Sequence, residues 1–292
     1  MPTLESHPSS QRVKALFLGD SGSGKTGAQA SLANAGRELF IIDLGAGLDI
    51  LRAMVKPEFH KNIHFETITD DYHGGQTKSA VSTKLAPMVY SKTLKLLDNW
   101  KTAEGDFGPV SSWGPERTIV IDSFTQLGLA AYRYIRAINN RKAGKTNIYD
   151  FGPAQDMQEG VLALLMSESV KCNVLVIAHI NYQEGEGDLP THIEEDAEGK
   201  EIEVKDEKGY PAAIGRKLSP RVGQYFNTMV AAKTKVLGDR VIRTIRTSST
   251  GMIDLKTPVP QLLPLDLPLE TGLEQIFRAI QLQEKQLPAK GK

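Results

Sequence analysis

The chain has 292 residues, of which 40% are hydrophobic and 24% charged, and its 35 basic residues balance 35 acidic ones. This composition is that of an ordinary globular protein and excludes collagen, coiled coil and wholesale disorder. No window approaches about 18 uninterrupted apolar residues, and segment 1–14 lacks the apolar core of a signal peptide, so we expect a soluble, cytoplasmic chain. The single cysteine, Cys172, lies in an apolar run; it excludes an intramolecular disulfide and a multi-cysteine zinc site.

Short apolar runs alternate with helical patterns along the chain. Strands are predicted at 13–18, 38–43, 63–68, 118–122 and 172–179, and helices at 25–35, 48–55, 88–101, 124–139, 154–170 and 270–283. Strands that are apolar on both faces and separated by helices indicate a parallel sheet covered on both sides. After Phe226, two runs that flank Gly238-Asp239 predict antiparallel strands at one sheet edge. The predicted fold class is therefore α/β, a mostly parallel sheet flanked by helices with an antiparallel edge meander.

The sequence predicts one domain, residues 12–283, between disordered tails at 1–11 and 284–292. Within it, segment 183–210 is predicted to be an acidic, hairpin-like insert. Residues 180–208 carry eleven acidic and three basic side chains, a net charge of −8 that leaves +8 on the rest of the chain. This balance permits a polyanionic partner on the basic remainder and does not demonstrate one.

One motif has a specific chemical meaning. It matches G-x-x-x-x-G-K-[ST] between a predicted strand and a predicted helix, and it comprises Gly19, Asp20, Ser21, Gly22, Ser23, Gly24, Lys25 and Thr26. Glycines let successive backbone N–H groups turn toward a phosphate, and the positive end of the following helix dipole favours an anion. Lys25 would contact the β- and γ-phosphates, and the Thr26 hydroxyl would ligate Mg²⁺. The sequence thus predicts ATP and Mg²⁺ as ligands.

A phosphate loop needs a carboxylate near the metal. Asp122 follows the apolar run Thr118-Ile119-Val120-Ile121, so it emerges at the carboxyl end of a buried strand, where ligands bind in open α/β sheets. We expect Asp122 to hold Mg²⁺ through water. The alternative is an aspartate that caps the following helix.

The order of these features resembles the core of RecA-like ATPases. The phosphate loop is followed by a strand that ends in Asp43, then by Asp122-Ser123, by His179 after an apolar strand, and by an edge meander. Over residues 12–265 the chain is most similar to the short RecA/RadA-like ATPases of bacteriophages, some of which act in single-strand annealing recombination. The resemblance implies an oligomeric Mg-ATP hydrolase that acts on single-stranded DNA, in the bacterial host cytoplasm if a phage encodes it.

The resemblance also exposes a departure. In the family, a glutamate two residues after the aspartate polarises the attacking water, and here that position is Gly45. Asp43 is the nearest substitute as a base, or else a structural aspartate that caps its turn. Hydrolysis would then be slow or would depend on a neighbouring subunit. A second hypothesis follows, namely a nucleotide-gated assembly or regulatory protein with little or no hydrolysis.

His179 stands where the family places a polar sensor of the γ-phosphate. Its ring would donate to that phosphate or to the attacking water, or it is a strand-end histidine hydrogen-bonded to a loop carbonyl. We therefore count His179 with Lys25 and Asp43 as the candidate catalytic residues. A small-molecule kinase is disfavoured because the sequence has no arginine-rich lid segment.

Two further sets of basic residues follow from the resemblance. Segment 139–147 falls where the family has a DNA-facing loop, and its cations Arg141, Lys142 and Lys145 would contact phosphates unless the segment is a solvated basic turn. RecA-like motors also receive a cation in trans from edge strands of a neighbouring subunit. The candidates for it are Arg243, Arg246 and Lys256, and the alternative is that they are solvated residues of an edge strand.

Overall fold

The computed structural model describes residues 12–73, 84–140, 147–184, 191–195, 201–205, 207–249 and 251–282. The strands are β1 (Lys14–Leu18), β2 (Glu38–Asp43), β3 (Ile63–Thr67), β4 (Asp71–His73), β5 (Lys84–Ala86), β6 (Lys101–Thr102), β7 (Gly105–Asp106), β8 (Arg117–Asp122), β9 (Asn173–Ala178), β10 (Ile180–Glu184), β11 (Thr191–Glu195), β12 (Glu201–Lys205), β13 (Glu207–Pro211), β14 (Thr228–Leu237), β15 (Arg240–Arg246) and β16 (Asp266–Pro268). The helices are α1 (Lys25–Ala28), α2 (Ala30–Asn34), α3 (Asp49–Met54), α4 (Val89–Asp98), α5 (Phe124–Ile138), α6 (Phe151–Met166), α7 (Ser219–Val222) and α8 (Leu269–Leu282). Within the described ranges, no helix has the length and apolar character needed to cross a membrane.

Eight strands form the main sheet, in the order β16-β15-β14-β1-β9-β8-β2-β3. The six strands from β14 to β3 pair in parallel. The hairpin partner β15 runs antiparallel to β14, and β16 runs antiparallel to β15. The predicted fold class, a mostly parallel α/β sheet with an antiparallel meander at one edge, is confirmed.

Two hydrophobic clusters cover the two faces of this sheet. Successive strand residues point to opposite faces, so Leu16 and Leu18 join the cluster with α4, α5 and α6, while Ala15 and Phe17 join the one with α1, α2, α3 and α8. Burial of such a leucine or phenylalanine contributes about 1.5–3 kcal/mol to folding. The covered faces explain why the central strands are apolar throughout.

Some predicted elements differ in detail. The helix predicted at 25–35 is divided at Gln29 into α1 and α2, and the insert contains two antiparallel pairs, β10 with β13 and β11 with β12. Whether 12–283 is a single domain stays a prediction. The tails predicted at 1–11 and 284–292 and the cations Arg141, Lys142 and Lys145 lie outside the described residues.

The lone cysteine lies directly before β9 and is fully buried. Burial raises the pKa of the Cys172 thiol to about 11, partly offset by a hydrogen bond with the backbone of Ile119. Since the thiolate is the reactive form, this thiol is inert near neutral pH.

Candidate functional site

The phosphate loop joins the end of β1 to the start of α1. Gly24, directly before the helix, has a φ angle of 91°, in the left-handed region that favours glycine. A Cβ atom at Gly24 would lie 2.6 Å from Leu269 Cδ2 and 3.1 Å from Arg243 Cδ. The backbone angle therefore favours glycine here, and a larger residue would also displace the side chains of Leu269 and Arg243.

Lys25 crosses the loop and is only 7% exposed. Its Nζ donates to the carbonyl oxygens of Gly19 (2.8 Å) and Asp20 (2.7 Å). An ammonium has three donors, so one remains for a ligand. Burial lowers the pKa of Lys25, and the charges of Asp122 and Asp20 oppose that shift.

Asp122 meets the phosphate-loop helix at the end of β8. Its Oδ2 accepts hydrogen bonds from Thr26 Oγ1 and from Gln29 Nε2, each 2.8 Å long. Burial raises the pKa of the Asp122 carboxyl, as does the charge of Asp43, while the two hydrogen bonds lower it. The side chain of Ser123 caps α5, so the carboxylate of Asp122 is not used as a helix cap. The peptide bond between Asp122 and Ser123 is cis.

The donor atoms at this point suit Mg²⁺. Mg²⁺ prefers oxygen ligands, keeps several waters, and is bound in nucleotide sites by one or two carboxylates plus phosphates. The Thr26 hydroxyl and the Asp122 carboxylate are such a set, and the ranges that the structure describes hold no cluster of three or more His, Cys, Asp or Glu side chains for a metal. The residues present therefore fit a metal shared with a nucleotide.

A cavity of about 430 Å³ opens over the loop. Its polar wall includes Lys25, Thr26, Asp122, His179 and Arg243, and its apolar wall is formed by Ile50 and Met54 of α3 together with Leu269 at the start of α8. The volume is within the range of about 300–1,000 Å³ typical of small-molecule sites. The cavity thus combines a cationic end with an apolar end.

Asp43 is only 2% exposed and lies beside this site, and both oxygens of its carboxylate already accept hydrogen bonds. Its Oδ1 accepts from the backbone N–H groups of Gly45 (3.1 Å) and Gly47 (3.4 Å), and its Oδ2 accepts from Thr67 Oγ1 (2.8 Å). These bonds are those of an aspartate that caps its turn, which was one of the two predicted roles. Its role as a base stays a prediction.

His179 follows β9 and its ring lines the cavity with Lys25. Its backbone N–H donates to Thr125 Oγ1 (3.0 Å) and its carbonyl accepts from Ala212 N (2.8 Å). In the described part of the chain the ring makes no hydrogen bond with a loop carbonyl. Burial and the Lys25 charge lower the pKa of His179, so the neutral ring is favoured at pH 7.

The three cations predicted to act in trans have different surroundings. Arg243 lies on β15 and lines the cavity of its own chain, next to Gly24. Arg246 binds Asp266 with both arms of its guanidinium, at 2.8 and 2.6 Å. Lys256 is exposed and lines a different cavity, of about 300 Å³. A role in trans stays a prediction for each, and only Arg243 lies at this chain's phosphate loop.

Sequence reasoning missed Gln29 and the apolar wall. Gln29 lies three residues after Thr26, a spacing that places both side chains on one helix face, and this signal was available in the sequence. Arg243 reaches the loop from a strand more than 200 residues away along the chain, and no local pattern reports such a contact.

No protein-family model matches the chain, and no curated protein matches its sequence significantly. Among solved structures, it is similar to a KaiC-like protein of the hyperthermophilic archaeon Pyrococcus horikoshii, at 9% identity and a TM-score of 0.38 over 80% of this chain and 77% of that one. The flagellar accessory protein FlaH of Methanocaldococcus jannaschii matches at 9% identity and a TM-score of 0.39, over 87% and 83%. An ATPase from the type III secretion system of pathogenic bacteria matches at 10% and 0.40, over 76% and 52%. At these TM-scores the similarity supports no statement about ligands or activity.

Proposed function

We propose that this chain is a RecA-like P-loop ATPase that binds Mg-ATP in the cavity over its phosphate loop. The observation that supports this most directly is the meeting of three groups at one point, the Lys25 ammonium, the Thr26 hydroxyl and the Asp122 carboxylate. A buried cation with a free donor attracts a phosphate, and charge-assisted bonds of this kind are the strong ones. A hydrogen bond between the Thr26 hydroxyl and the Asp122 carboxylate would not by itself require a buried ammonium beside it.

Each wall of the cavity then has a part in binding. The third N–H of Lys25 would donate to a phosphate, and Thr26 with Asp122 would hold Mg²⁺. Mg²⁺, when bound, supplies positive charge that neutralises the phosphate oxygens. The apolar wall of Ile50, Met54 and Leu269 would contact the base.

Nucleotide titration of Lys25→Ala tests this proposal. We expect Mg-ATP to bind about 10- to 100-fold more weakly, because a charged hydrogen-bond donor is lost. Lys14→Met is the matched control: Lys14 is also buried, but its Nζ donates to Ser167 O (2.7 Å), and it does not line the cavity. Unchanged affinity in Lys25→Ala, or equal losses in both variants, would overturn the proposal.

A second candidate function is nucleotide-gated assembly or regulation with little hydrolysis. The hydrogen bonds of Asp43 favour it, because a carboxylate that holds its own turn is poorly placed to activate water. Phosphate release by the wild type, with and without single-stranded DNA, distinguishes the two. Release well above a Lys25→Ala background supports the ATPase, and release equal to that background supports the gated form.

Single-stranded DNA is the partner that we propose for the ATPase form. Ile148 and Tyr149 directly follow the basic segment 139–147 and are 77% and 80% exposed. An exposed aromatic ring such as that of Tyr149 can stack on a base. Replacing Arg141, Lys142 and Lys145 with alanine should weaken binding and flatten its salt dependence by up to about two units, since each contact contributes a slope of about −0.7. Oligonucleotide anisotropy across a salt series measures this, and unaltered affinity and slope would refute it.

We also propose that the chain self-associates through the β14–β15 hairpin. The outer half of this hairpin exposes four apolar side chains, namely Val236, Leu237, Val241 and Ile242. The register places Val236 beside Val241 on one face of the hairpin and Leu237 and Ile242 on the other. Exposed apolar side chains on both faces favour a protein contact. Light scattering of Val236→Ser/Ile242→Ser should show a smaller assembly than the wild type, and an unchanged mass would exclude this surface.

A further inference from the structure

Gln29 and Gln158 are both completely buried, yet their amides are bonded differently. Both polar atoms of the Gln158 side chain are bonded, because Nε2 donates to Phe124 O (2.7 Å) and Oε1 accepts from Ile214 N (2.9 Å). Gln29 donates from Nε2 to Asp122 Oδ2 (2.8 Å), but its Oε1 is buried and accepts no hydrogen bond from the described residues. The fold therefore gains less from Gln29 than from Gln158.

The orientation of the Gln29 amide follows from chemistry. An ionised carboxylate only accepts hydrogen bonds, so Nε2 must face Asp122 and Oε1 must face away from it. An unpaired buried acceptor destabilises the folded state. A methionine at this position would fill nearly the same space without an unpaired oxygen, so packing alone does not explain the glutamine.

Its effect on Asp122 does offer an explanation. Thr26 Oγ1 and Gln29 Nε2 donate to the same oxygen, Oδ2, and Oδ1 receives no hydrogen bond from the residues described. Two donors on one oxygen fix the rotation of the carboxylate about its Cβ–Cγ bond. They also leave the second oxygen for a metal or a metal-bound water.

We propose that Gln29 is a positioning residue for Mg²⁺, which holds the Asp122 carboxylate so that Oδ1 is presented to the metal. This inference rests on the proposed Mg-ATP site. Residues that orient a metal ligand typically change metal affinity by about 10- to 100-fold when they are replaced. A residue that only packs would change stability and leave metal affinity unaltered.

The test compares Gln29→Met with Gln158→Met in the full chain. ATP affinity is titrated in excess Mg²⁺ and in EDTA, and the ratio of the two affinities gives the Mg²⁺ enhancement; thermal unfolding gives the melting temperature. For Gln29→Met we expect an enhancement reduced about 10- to 100-fold and unaltered affinity in EDTA. The melting temperature should change little, because the lost hydrogen bond to Asp122 and the removed unpaired oxygen have opposite effects. Gln158→Met should keep the enhancement and melt at a lower temperature, because it removes two buried hydrogen bonds to backbone groups.

Other outcomes are equally decisive. If Gln29→Met keeps the enhancement, the inference is wrong although the proposed site stands. If Gln29→Met and a parallel Gln29→Leu both fail to fold while Gln158→Met folds, Gln29 is a residue that the fold requires, and the inference is again wrong. If the wild type itself binds no ATP in either condition, the proposed function falls and the inference falls with it.

Discussion

The strands β2 and β8 lie side by side and each ends in an aspartate, yet these two carboxylates have different partners. Asp43 and Asp122 lie directly opposite each other in the sheet register. Asp43 is bound by Gly45 and Gly47 of its own turn and by Thr67. Asp122 is bound by side chains of the phosphate-loop helix. Both aspartates line cavities, but the Asp43 carboxylate holds its own turn, whereas the Asp122 carboxylate contacts the phosphate-loop helix.

The difference comes from the residues that follow each strand. After β2, the Gly45-Ala46-Gly47 turn includes Ala46 at a φ of 51° and folds back over the strand end, so its N–H groups point to Asp43. After β8, the side chain of Ser123 caps α5, so the Asp122 carboxylate does not bond to the described backbone that follows it. The residues that follow each strand thus decide whether the aspartate at its end bonds to its own turn or to another element.

The largest effect is expected for Asp122→Asn. The amide keeps the shape and removes the negative charge from the metal side, so the Mg²⁺ enhancement of ATP affinity should fall by about 100-fold. Affinity in EDTA should not fall, because a charge that repels phosphates is removed. Titration in both conditions measures this, and an intact enhancement would remove Asp122 from the site.

Asp43→Asn should act mainly on stability. The uncharged amide is a weaker acceptor for the three groups that donate to Asp43. The free energy of unfolding should therefore fall by about 1–3 kcal/mol, measured by urea denaturation. The Mg²⁺ enhancement should persist. The opposite result, a fast wild-type ATPase abolished in a variant of normal stability, would establish Asp43 as the base and would reverse the contrast between the two strand ends.

Gly45→Glu adds a glutamate at the position where the RecA-like ATPases that the sequence resembles have one. The φ of Gly45 lies outside the left-handed region, and a Cβ there would meet no atom within 4 Å, so the variant should fold. We expect phosphate release to rise, by about 10-fold or more if the carboxylate reaches the water, because a placed base contributes about 10²–10⁴-fold. Gly45→Ala is the control, and equal rates in both variants would contradict this expectation.

The smallest effect concerns His179, which ends the strand on the other side of β8. Burial lowers the pKa of this ring in the folded chain, so below the ordinary value of about 6.5 the unfolded chain binds more protons. The free energy of unfolding should therefore decrease as the pH falls through that value toward the lower folded pKa. Replacement with glutamine should flatten this part of the stability profile, and an identical profile would argue against a buried, neutral ring.

The sequence allowed the sheet and the phosphate loop to be predicted because both depend on local patterns. Apolar runs placed β1, β2, β8 and β9, and the spacing of Gly19, Gly24 and Lys25 placed the loop. Two features could not be predicted: Arg243 lies at the phosphate loop of its own chain, and Gln29 Oε1 accepts no hydrogen bond from the described residues. Both depend on contacts between distant segments and on which donors remain unused. The sequence left two roles open for Asp43; the structure shows the bonds of a turn cap, and the role as a base stays a prediction.

The burial of Cys172 also makes the chain convenient to label. Its thiol is shielded and, with a pKa of about 11, hardly ionised at neutral pH. A cysteine introduced at Asp239, in the exposed turn between β14 and β15, would be the sole thiol open to a maleimide under native conditions. A dye at this turn would lie beside the exposed apolar side chains of the hairpin and would report self-association there in a protein otherwise unaltered in sequence.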